Sequence, residues 1–373
     1  MTISKKKILF ISSTRADYSL QKATINHFLM DKNIDTTLII TGTHLLKSYG
    51  KTSDDINLKK NCKIIYLKIN LSKDSYFDIT NCFANYLKKI NNILDKEKYD
   101  LVLLLGDRYE IFSAAISASI NNIRIAHLHG GETTLGSKDN KYRNGISLLS
   151  YYHFVSHEIY KAKLIEIGCE SKHIYNYGPF CSDNLINFKP TNLTEIENKF
   201  NFKIMFKKYF IFTYHPETEY KDNEINKIQM IMNVLKDYKD IFFIITSSNH
   251  DYSSIKINNF LIKFANLNKK NFKYIRSFGS KYYLSLVKKS CGVIGNSSSG
   301  LIEVPYFNKP TINIGERQTG RVQLNSVINV SFKKFNLKNA INESLNKKFI
   351  SNTKSFYKKN VSYKTYLKII NIL

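Results

Sequence analysis

Short apolar runs alternate with longer amphipathic segments along the first half of the chain. Six runs have the length of buried strands, and they read KILFIS, TTLIIT, CKIIYL, DLVLLLG, IRIAHL and YHFVS. The segments between them carry apolar residues at helical spacing, as in DYSLQKATINHFLM, FDITNCFANYLKKINNILDK, EIFSAAISASI and NGISLLS. This alternation is typical of β-α-β units around a parallel sheet that is covered on both faces. We therefore predict one doubly wound domain over residues 1–185.

A second series of strand-like runs follows, and it reads YFIFTYH, DIFFIIT, FKYIRS, GVIGN and TINIG. It predicts a second Rossmann-like domain over residues 186–357, with the polar stretch 188–194 as the linker region. The predicted fold class is α/β, with two Rossmann-like doubly wound domains facing a cleft. Ligands of open α/β folds bind at the carboxyl ends of the strands, so functional residues are expected there.

Composition and charge change this picture little. The 373 residues suffice for two domains, and 43% hydrophobic with 23% charged residues is the balance of a soluble globular protein. A formal net charge of +26 raises nucleic acid or an anionic membrane as partners. However, the lysines are spread along the chain and no nucleic-acid-binding spacing appears. We predict neither partner, and expect the basic field to attract a phosphorylated small substrate.

Cysteines and the amino-terminal stretch indicate a cytoplasmic protein. The five cysteines lie far apart without metal-site spacing, which predicts reduced structural thiols. The first apolar run is interrupted by Arg15 and is too short for a signal peptide. No segment approaches the roughly 18 apolar residues of a membrane span.

Two motifs follow the first and fourth predicted strands. In STRADYS, Arg15 can bind an anion beside a helix start, or it is a solvated side chain next to Asp17 as an ordinary N-cap. In LLLGDRYE, Asp107 is a general acid or base, or a helix N-cap. An acid beside a base at the carboxyl edge of a sheet favours the functional interpretation.

The motif AHLHGGE ends the fifth predicted strand. Strand alternation predicts that His127 and His129 point to the same side, while Gly130 and Gly131 let main-chain amides approach a ligand. Imidazole suits proton transfer near neutral pH. Two histidines followed by Glu132 match no compact zinc pattern, so we predict no metal.

Two further motifs carry candidate acid–base groups. In SKDNKYRNG, Asp139 and Arg143 share a helix face, either as a surface ion pair or as a catalytic carboxylate held by the arginine. In FTYHPET, His215 lies at a strand end before Pro216, either as a proton donor to a departing phosphate or as a turn residue.

The stretch VIGNSSSGLIEVPYFNKP predicts a nucleotide site. The hydroxyls of Ser297 and Ser298 and the free amides of a helix start favour a diphosphate, and Glu303 can accept both hydroxyls of a ribose. GERQTGR adds Arg317 and Arg321 nearby. Because no G-x-G-x-x-G and no P-loop lysine motif is present, neither a dinucleotide redox enzyme nor a P-loop NTPase is indicated. We expect no cofactor.

As a set, these motifs resemble the UDP-N-acetylglucosamine 2-epimerase family, and within it the hydrolysing branch of bacterial sialic acid biosynthesis. STRADYS, TGTHL, GDR, HLHGGET, DNKYR, YHPET, GNSSSGLIEVP and NIGERQTGR fall in family order and spacing over nearly the whole chain. The resemblance implies a GT-B-like arrangement of two Rossmann domains, with a C-terminal helix over residues 358–373 that returns to the first domain. It also implies a homodimer or homotetramer.

The resemblance implies a reaction as well. UDP-GlcNAc loses UDP to give 2-acetamidoglucal, and water then adds to yield N-acetylmannosamine. By position, the acid–base cluster comprises Asp107, His129, Glu132 and Asp139, with no single base assigned, and His215 lies beside the leaving group. His129 stands where the non-hydrolysing branch carries glutamate. The positions matched around UDP are Arg15, Ser19, Arg108, Ser297, Ser298, Glu303 and Arg317, with Arg143 and His127 as supporting residues.

Several alternatives remain open at the level of sequence. The same hydrolysis on UDP-2,4-diacetamido-2,4,6-trideoxyglucose, towards legionaminic acid, is one of them. Asn144 stands where many hydrolysing members carry histidine, and this leaves the exact sugar open. A non-hydrolysing epimerase fits HLHGGET less well. A GT-B glycosyltransferase would share the nucleotide site, and a charge-driven nucleic-acid binder would follow from net charge alone.

Overall fold

The computed structural model describes residues 5–46, 52–56, 58, 62–69, 75–219, 223–248, 253–353 and 356–373. The chain divides into two compact units. The first unit comprises Met1–Thr133, Asp139–Asn187 and Lys354–Leu373, and the second comprises Thr134–Lys138 and Phe188–Thr353. The sequence did not predict that five residues within the first domain would belong to the second unit.

Parallel strands and covering helices make up the described part of the first unit. In chain order they are β1 (Lys6–Ser12), α1 (Arg15–Met30), β2 (Ile34–Ile40), β3 (Cys62–Tyr66), α2 (Tyr76–Lys96), β4 (Leu101–Leu105), α3 (Tyr109–Ile120), β5 (Ile125–Leu128), α4 (Asp139–Leu149), β6 (Tyr152–Val155), α5 (Glu158–Glu166), β7 (Ile174–Asn176) and α6 (Cys181–Ile186). The strand order is β3-β2-β1-β4-β5-β6-β7, and every pair is parallel. This is the Rossmann order.

The second unit repeats the same architecture. Its described elements are α7 (Leu193–Phe200), β8 (Lys208–Thr213), α8 (Glu224–Lys236), β9 (Ile241–Thr246), α9 (Ser254–Leu267), β10 (Phe272–Tyr274), α10 (Gly279–Lys289), β11 (Gly292–Gly295), α11 (Ser298–Ile302), β12 (Thr311–Ile314), β13 (Val327–Val330) and α12 (Lys334–Asn346). The strand order is β10-β9-β8-β11-β12-β13, again all parallel.

Burial on both faces explains why the central strands are continuous apolar runs. Leu101, Leu103 and Leu105 of β4 pack into the core beside α1, whereas Val102 and Leu104 pack into the core beside α2 and α3. Strand β8 divides its side chains between two cores in the same way. A strand buried on both sides has no polar face to display, so its sequence does not alternate.

The last helix, α13 (Val361–Ile370), lies in the first unit. Its first two main-chain N–H groups, of Val361 and Ser362, donate to the Asp183 carboxylate at 3.2 and 2.8 Å. Tyr366 packs edge-on against Phe28 of α1. These contacts fix the start of the helix and its apolar face.

The predicted α/β class with two Rossmann-like domains is confirmed, because each unit holds a parallel, doubly covered sheet. Two short edge strands, β7 and β13, were not predicted, and neither was α5. The burial of β13 is partial along most of its length, so it carries little hydrophobic signal. None of the helices in the described parts of the chain combines sufficient length with sufficient hydropathy to span a lipid bilayer.

Candidate active site

The turn between β1 and α1 is a capping box. Thr14 is the N-cap: its Oγ1 accepts from the Asp17 N–H at 3.2 Å, and the Asp17 carboxylate accepts from the Thr14 N–H at 3.0 Å. Asp17 is therefore the third helical residue and not the N-cap that the sequence suggested. Burial raises the pKa of its carboxyl group. Arg15 and Ser19 lie in the first two turns of the helix, and both are partly exposed.

An ion pair joins the end of β4 to helix α4. The Asp107 carboxylate contacts the Arg143 guanidinium, and their side chains are 23% and 1% exposed. A second guanidinium nitrogen of Arg143, Nη1, donates to the main-chain oxygen of Glu132 at 2.6 Å. The N-cap of α3 is Arg108, so Asp107 is not the cap. Asp107 is thus a charge-compensated carboxylate that remains accessible to solvent.

Arg108 lies in a more enclosed position than the sequence suggested. It is buried, and its guanidinium donates to the Glu110 carboxylate over distances of 3.2–3.3 Å. A buried pair of this kind is stable only when both charges stay in place. The structure therefore places Arg108 as an internal partner of Glu110 at the start of α3.

His129 and Glu132 form a buried pair just after β5. The His129 Nδ1 lies 2.5 Å from the Glu132 carboxylate, which also accepts from the Ser156 hydroxyl at 3.1 Å. The other ring nitrogen, Nε2, accepts from the Phe180 main-chain N–H at 3.3 Å. Because Nε2 accepts, the proton that faces Glu132 is on Nδ1. Both ring nitrogens are thus used in internal hydrogen bonds.

The main chain at His129 has a φ of +65°. This is the left-handed region, which costs a residue with a Cβ atom energy and is uncommon for residues other than glycine. Sequence reasoning gave no signal for this conformation. It shows that the chain turns sharply out of the strand at this residue.

His127 has a structural environment. Its Nε2 lies 2.9 Å from the Gly106 carbonyl oxygen and its Nδ1 lies 3.0 Å from the Ser147 hydroxyl. A carbonyl can only accept, so Nε2 donates and Nδ1 accepts. Burial lowers the pKa of His127 to about 4. The neutral ring thereby ties the turn before Asp107 to helix α4, which suits the supporting role given to it.

The prediction that the two histidines point to the same side is wrong. His127 contacts Ser147 of α4, whereas the His129 ring packs against Phe180 at 5.5 Å between centroids. Strand β5 ends at Leu128, and the left-handed turn at His129 breaks the alternation of side chains.

Packing explains the two glycines that follow. Gly131 has a φ of +77°, and a Cβ atom there would lie 2.4 Å from the Tyr160 carbonyl oxygen of α5. At Gly130, a Cβ atom would lie 3.0 Å from His127 Nδ1 and 3.1 Å from the Ser147 hydroxyl. The close approach of α5 and of the His127 ring is therefore sufficient reason for Gly-Gly, and a ligand is not required.

Asp139 is the first residue of α4 and is partly exposed. Arg143 lies one turn later, with the contacts to Asp107 and Glu132 given above. That Arg143 also holds Asp139 stays a prediction. In the first unit, Arg143 thus joins the strand end that carries Asp107 to the loop that carries His129 and Glu132.

In the second unit, Asn296 connects the chain after β11 to the chain after β8. The Asn296 side chain accepts from the His215 N–H at 2.7 Å and donates to the His215 carbonyl at 2.8 Å. The Ser248 hydroxyl lies 3.4 Å from His215 Nδ1. At Gly295, a Cβ atom would lie 1.8 Å from the Thr213 carbonyl oxygen, so only glycine permits this approach of the two strands.

Three of the predicted nucleotide-binding residues follow Asn296 along the chain. Ser297 is the N-cap of α11, Ser298 is its first residue, and Glu303 is its C-cap. All three side chains are partly exposed. The helix packs closely on β12, because Gly300 lies against the Thr311 side chain, where a Cβ atom would come within 2.6 Å.

Arg317 lies beside the same turn. Its Nη1 donates to the Asn296 carbonyl at 3.3 Å, and the Gln318 amide donates to that oxygen at 2.8 Å. The Glu217 carboxylate accepts from the main-chain N–H groups of Glu316 and Arg317 at 2.6 and 3.2 Å. Sequence reasoning missed Asn296, Gln318 and Glu217, because the contacts that bring them to this turn are distant along the chain. Asn296 and Gln318 are 22 residues apart, and Glu217 and Arg317 are 100 residues apart.

The short segment Thr134–Lys138 packs against this part of the second unit. The Lys138 N–H donates to the Thr218 hydroxyl at 3.0 Å. At Gly136, a Cβ atom would lie 2.7 Å from the main-chain N and Cα of Arg317. The chain that precedes Asp139 therefore contacts the main chain of a predicted nucleotide residue.

In the part of the chain that the structure describes, no group of three or more His, Cys, Asp and Glu side chains could hold a metal ion.

Two parallel sheets in Rossmann order, each with polar side chains gathered at its strand ends, define a protein of two Rossmann-like units. A family profile of UDP-N-acetylglucosamine 2-epimerases matches residues 27–373. The chain therefore belongs to the UDP-N-acetylglucosamine 2-epimerase family.

Two relatives agree with this assignment, and a solved structure shares the fold. The chain is 37% identical over 347 residues to the polysialic acid biosynthesis protein P7 of Escherichia coli, covering 93% of this chain and 88% of that protein. It is 36% identical over 327 residues to the GDP/UDP-N,N'-diacetylbacillosamine 2-epimerase (hydrolyzing) of Campylobacter jejuni, covering 87% and 84%. The crystal structure of Methanocaldococcus jannaschii UDP-GlcNAc 2-epimerase in complex with UDP-GlcNAc and UDP has a TM-score of 0.78 at 23% identity, covering 98% and 100%, which shows the shared fold.

Proposed function

We propose that the protein is a hydrolysing UDP-N-acetylglucosamine 2-epimerase, which converts UDP-GlcNAc and water to N-acetylmannosamine and UDP. The observation that carries the proposal is the ion pair between Asp107 and Arg143, in a chain that belongs to this family. Arg143 also donates to the main-chain oxygen of Glu132, so the pair lies at the carboxyl ends of β4 and β5. The name of the E. coli relative supports a role in sialic acid synthesis. The enzyme acts in the cytoplasm as a homodimer or homotetramer.

The reaction has two steps. In the first, a base removes the proton from C2 of the sugar, the C1–O bond to UDP breaks, and a C1=C2 double bond forms to give 2-acetamidoglucal. In the second, water adds across that bond, with hydroxyl bonding to C1 and a proton returning to C2 on the opposite face. The chemistry needs a base near C2, a charge-stabilising site for the leaving diphosphate and a group that directs water.

Asp107 is the acid–base group that the geometry favours. Its carboxylate is compensated by Arg143 yet 23% exposed, so it can reach a substrate without carrying an isolated buried charge. Asp139 is the second carboxylate, at the start of α4. The internal hydrogen bonds of His129 favour a different role for the His129–Glu132 pair: it shapes the loop whose main-chain oxygen holds Arg143.

The second unit supplies most of the groups that bind UDP, and these groups stabilise the negative charge that develops on the departing diphosphate. Arg317 and the hydroxyls of Ser297 and Ser298 bind the diphosphate, and Glu303 binds the ribose. His215 donates a proton or a hydrogen bond to the departing phosphate, and the Asn296 amide fixes its main chain. Arg15, Ser19 and Arg108 complete the proposed UDP set.

A second candidate substrate is UDP-N,N'-diacetylbacillosamine, which is a 2,4-diacetamido-2,4,6-trideoxyglucose. It is favoured by the C. jejuni relative, whose name includes this sugar and whose identity to this chain, 36%, nearly equals the 37% of the E. coli relative. The same elimination and hydration apply, because the 4-acetamido and 6-deoxy substituents lie away from C1 and C2.

Proton NMR in deuterated water tests the reaction. The expected products from UDP-GlcNAc are free UDP and N-acetylmannosamine with deuterium at C2. UDP-N-acetylmannosamine would instead indicate the non-hydrolysing reaction. Turnover of the 4-acetamido-6-deoxy sugar alone would select the second substrate, and no turnover of either would contradict the proposal.

Treatment with a chelator tests for a metal requirement. Activity is expected to survive the chelator. If activity were lost and one divalent ion restored it, the reaction would require a metal.

Variants at the two ends of β4 provide a matched control. Asp107→Asn should abolish turnover and leave UDP affinity largely unchanged. Asp100 precedes the same strand and accepts from the Lys7 main chain, so Asp100→Asn should keep turnover. Loss of UDP binding in Asp107→Asn would indicate a structural role for this carboxylate.

A further inference from the structure

Glu217 is a buried carboxylate outside the proposed acid–base and UDP-binding sets. It follows His215 by two residues and is only 3% exposed. A carboxylate this deep in a protein costs free energy unless its oxygens are hydrogen-bonded or paired. One of its two oxygens contacts the loop that carries Arg317, and the other contacts Lys227.

The first oxygen, Oε1, holds the loop that carries Arg317. It accepts from the main-chain N–H groups of Glu316 and Arg317 at 2.6 and 3.2 Å. The preceding residue, Gly315, has a φ of +79°, and a Cβ atom there would lie 2.3 Å from Oε1. The loop thus turns tightly around this oxygen, which only glycine allows.

The second oxygen, Oε2, is neutralised by Lys227. The Lys227 ammonium lies 2.8 Å from Glu217 and 3.1 Å from Glu224, and its side chain is mostly buried. Glu224 also accepts from the Tyr214 hydroxyl at 2.9 Å. Two carboxylates therefore share one ammonium, but only Glu217 contacts the Arg317 loop.

Beyond that loop, the Arg317 side chain reaches the turn before α11. Its Nη1 donates to the carbonyl of Asn296, the residue immediately before Ser297. The hydrogen bond to the Asn296 carbonyl therefore holds the Arg317 guanidinium beside the two serines. The Glu217 carboxylate holds the main chain of the same residue.

We infer that Glu217 is a positioning residue for nucleotide binding, whose carboxylate fixes the main chain of Arg317 so that the guanidinium is ready to bind a diphosphate. The inference rests on the proposed function, because it takes UDP as the ligand of Arg317. Glu217 itself touches no substrate. Its effect is expected in affinity for UDP and in KM, and kcat at saturating substrate should remain near the wild-type value.

Three variants separate this role from the charge on Lys227. Glu217→Ala removes both acceptors and should weaken UDP binding about tenfold, measured by isothermal titration calorimetry. Glu217→Gln keeps one oxygen that can accept the two N–H groups, so its loss should be smaller, about threefold. Glu224→Gln removes the other carboxylate beside Lys227 and leaves the loop contacts intact, so its UDP affinity should stay within about twofold of wild type.

A double-mutant cycle distinguishes positioning from general damage. Arg317→Ala should weaken UDP binding by itself. If Glu217 acts through Arg317, adding Glu217→Gln to Arg317→Ala should cost little further affinity. Thermal unfolding of each variant shows whether it is folded, and the Gln variant carries the test if the Ala variant does not fold.

The outcomes are distinct. Wild-type UDP affinity in Glu217→Ala and Glu217→Gln, or an equal loss with and without Arg317, would overturn the inference. If the wild-type protein binds UDP but hydrolyses no UDP-sugar, the reaction fails while the binding comparison still decides the role of Glu217. If the wild-type protein does not bind UDP, the nucleotide site and this inference both fail.

Discussion

The side-chain amide of Asn296 pairs with both main-chain groups of His215, accepting from its N–H at 2.7 Å and donating to its carbonyl at 2.8 Å. The main-chain oxygen of Asn296 accepts from Arg317 and Gln318. One buried residue thus joins the strand end that carries His215 to the turn that carries the serines. Positioning of both sets of groups depends on it.

Asn296→Ala should therefore lower kcat at least about tenfold, because two hydrogen bonds of roughly 1 kcal/mol each no longer fix His215. Asn296→Asp keeps the acceptor but sets a carboxylate against the His215 carbonyl, and it should be at least as damaging. Steady-state kinetics and urea unfolding measure the two effects. Asn313→Ala is the control, since Asn313 is another buried asparagine and bonds to Asn329. Equal kcat losses in both alanine variants would contradict a specific role for Asn296.

Arg143→Lys tests the link between Asp107 and Glu132. Lysine keeps the charge but has one nitrogen, which cannot replace the two guanidinium nitrogens that reach Asp107 and the Glu132 carbonyl. We expect kcat to fall about 100-fold through misplacement of Asp107, with KM changed little. Arg124 is an exposed arginine of the same unit, so Arg124→Lys should retain wild-type kinetics. A kcat within about twofold of wild type in Arg143→Lys would show that charge alone suffices.

The predictable part of the fold is the part whose sequence reports burial directly. Central strands such as β4 are covered on both faces, and their unbroken apolar runs separate them from amphipathic helices. The edge strand β13 is mostly half-buried, so its short run carries no comparable signal. The assignment of Thr134–Lys138 to the second unit left no mark in hydrophobic periodicity, because the segment contacts that unit through hydrogen bonds of its main chain, such as the one from the Lys138 N–H to the Thr218 hydroxyl.

The candidate site divides in the same way. Strand ends could be located from sequence, and so could the polar residues that follow them, including Asp107 and His215. Side-chain partners could not, because Asp107 and Arg143 are 36 residues apart and Glu217 and Arg317 are 100 apart. The strand-alternation rule failed at His129 because the chain leaves the extended conformation there.

Glu303→Ala tests the proposed ribose contact. A carboxylate that accepts both ribose hydroxyls makes charge-assisted hydrogen bonds, so its removal should raise KM about tenfold and leave kcat nearly unchanged. The wild-type protein should bind UDP more tightly than 2′-deoxy-UDP, and Glu303→Ala should lose this preference. Glu316→Ala, which removes an exposed carboxylate from the Arg317 loop, is the control. A variant that still prefers UDP over its deoxy analogue would place the ribose elsewhere.

Gly136→Ala tests the contact between Thr134–Lys138 and the Arg317 main chain. The added Cβ atom would lie 2.7 Å from main-chain atoms that cannot rotate away, so the segment or the loop must move. UDP affinity should fall about tenfold, and kcat should fall as well because Asp139 follows the displaced segment. Leu135→Ala removes a side chain that is 51% exposed and should change neither quantity. Wild-type affinity and kcat in Gly136→Ala would show that the segment adapts.

Three buried histidines of the first unit should make its stability depend on pH. Burial lowers the pKa values of His44 and His127 to about 4 and that of His153 to about 3, from an ordinary value of 6.5. Between pH 6.5 and 4 these histidines are protonated in the unfolded chain and neutral in the folded chain. The histidine contribution to the free energy of unfolding is therefore fully present above about pH 6.5 and decreases as the pH falls towards 4. Each histidine contributes up to about 1.4 kcal/mol per pH unit in that window, and the three together about 4 kcal/mol per pH unit.

Urea unfolding at pH 8, 7, 6 and 5 measures this slope, which should be nearly flat from pH 8 to 7 and steep below 6.5. His127→Asn removes one titrating ring and should reduce the slope by about one proton, whatever its effect on stability at pH 7. The hydrogen bond from His127 to the Gly106 carbonyl also links this titration to the turn before Asp107. If the slope below pH 6.5 were the same in His127→Asn as in wild type, the ring would already be protonated in the folded protein or exposed to water. Its role as the neutral donor that holds the Asp107 turn would then be wrong.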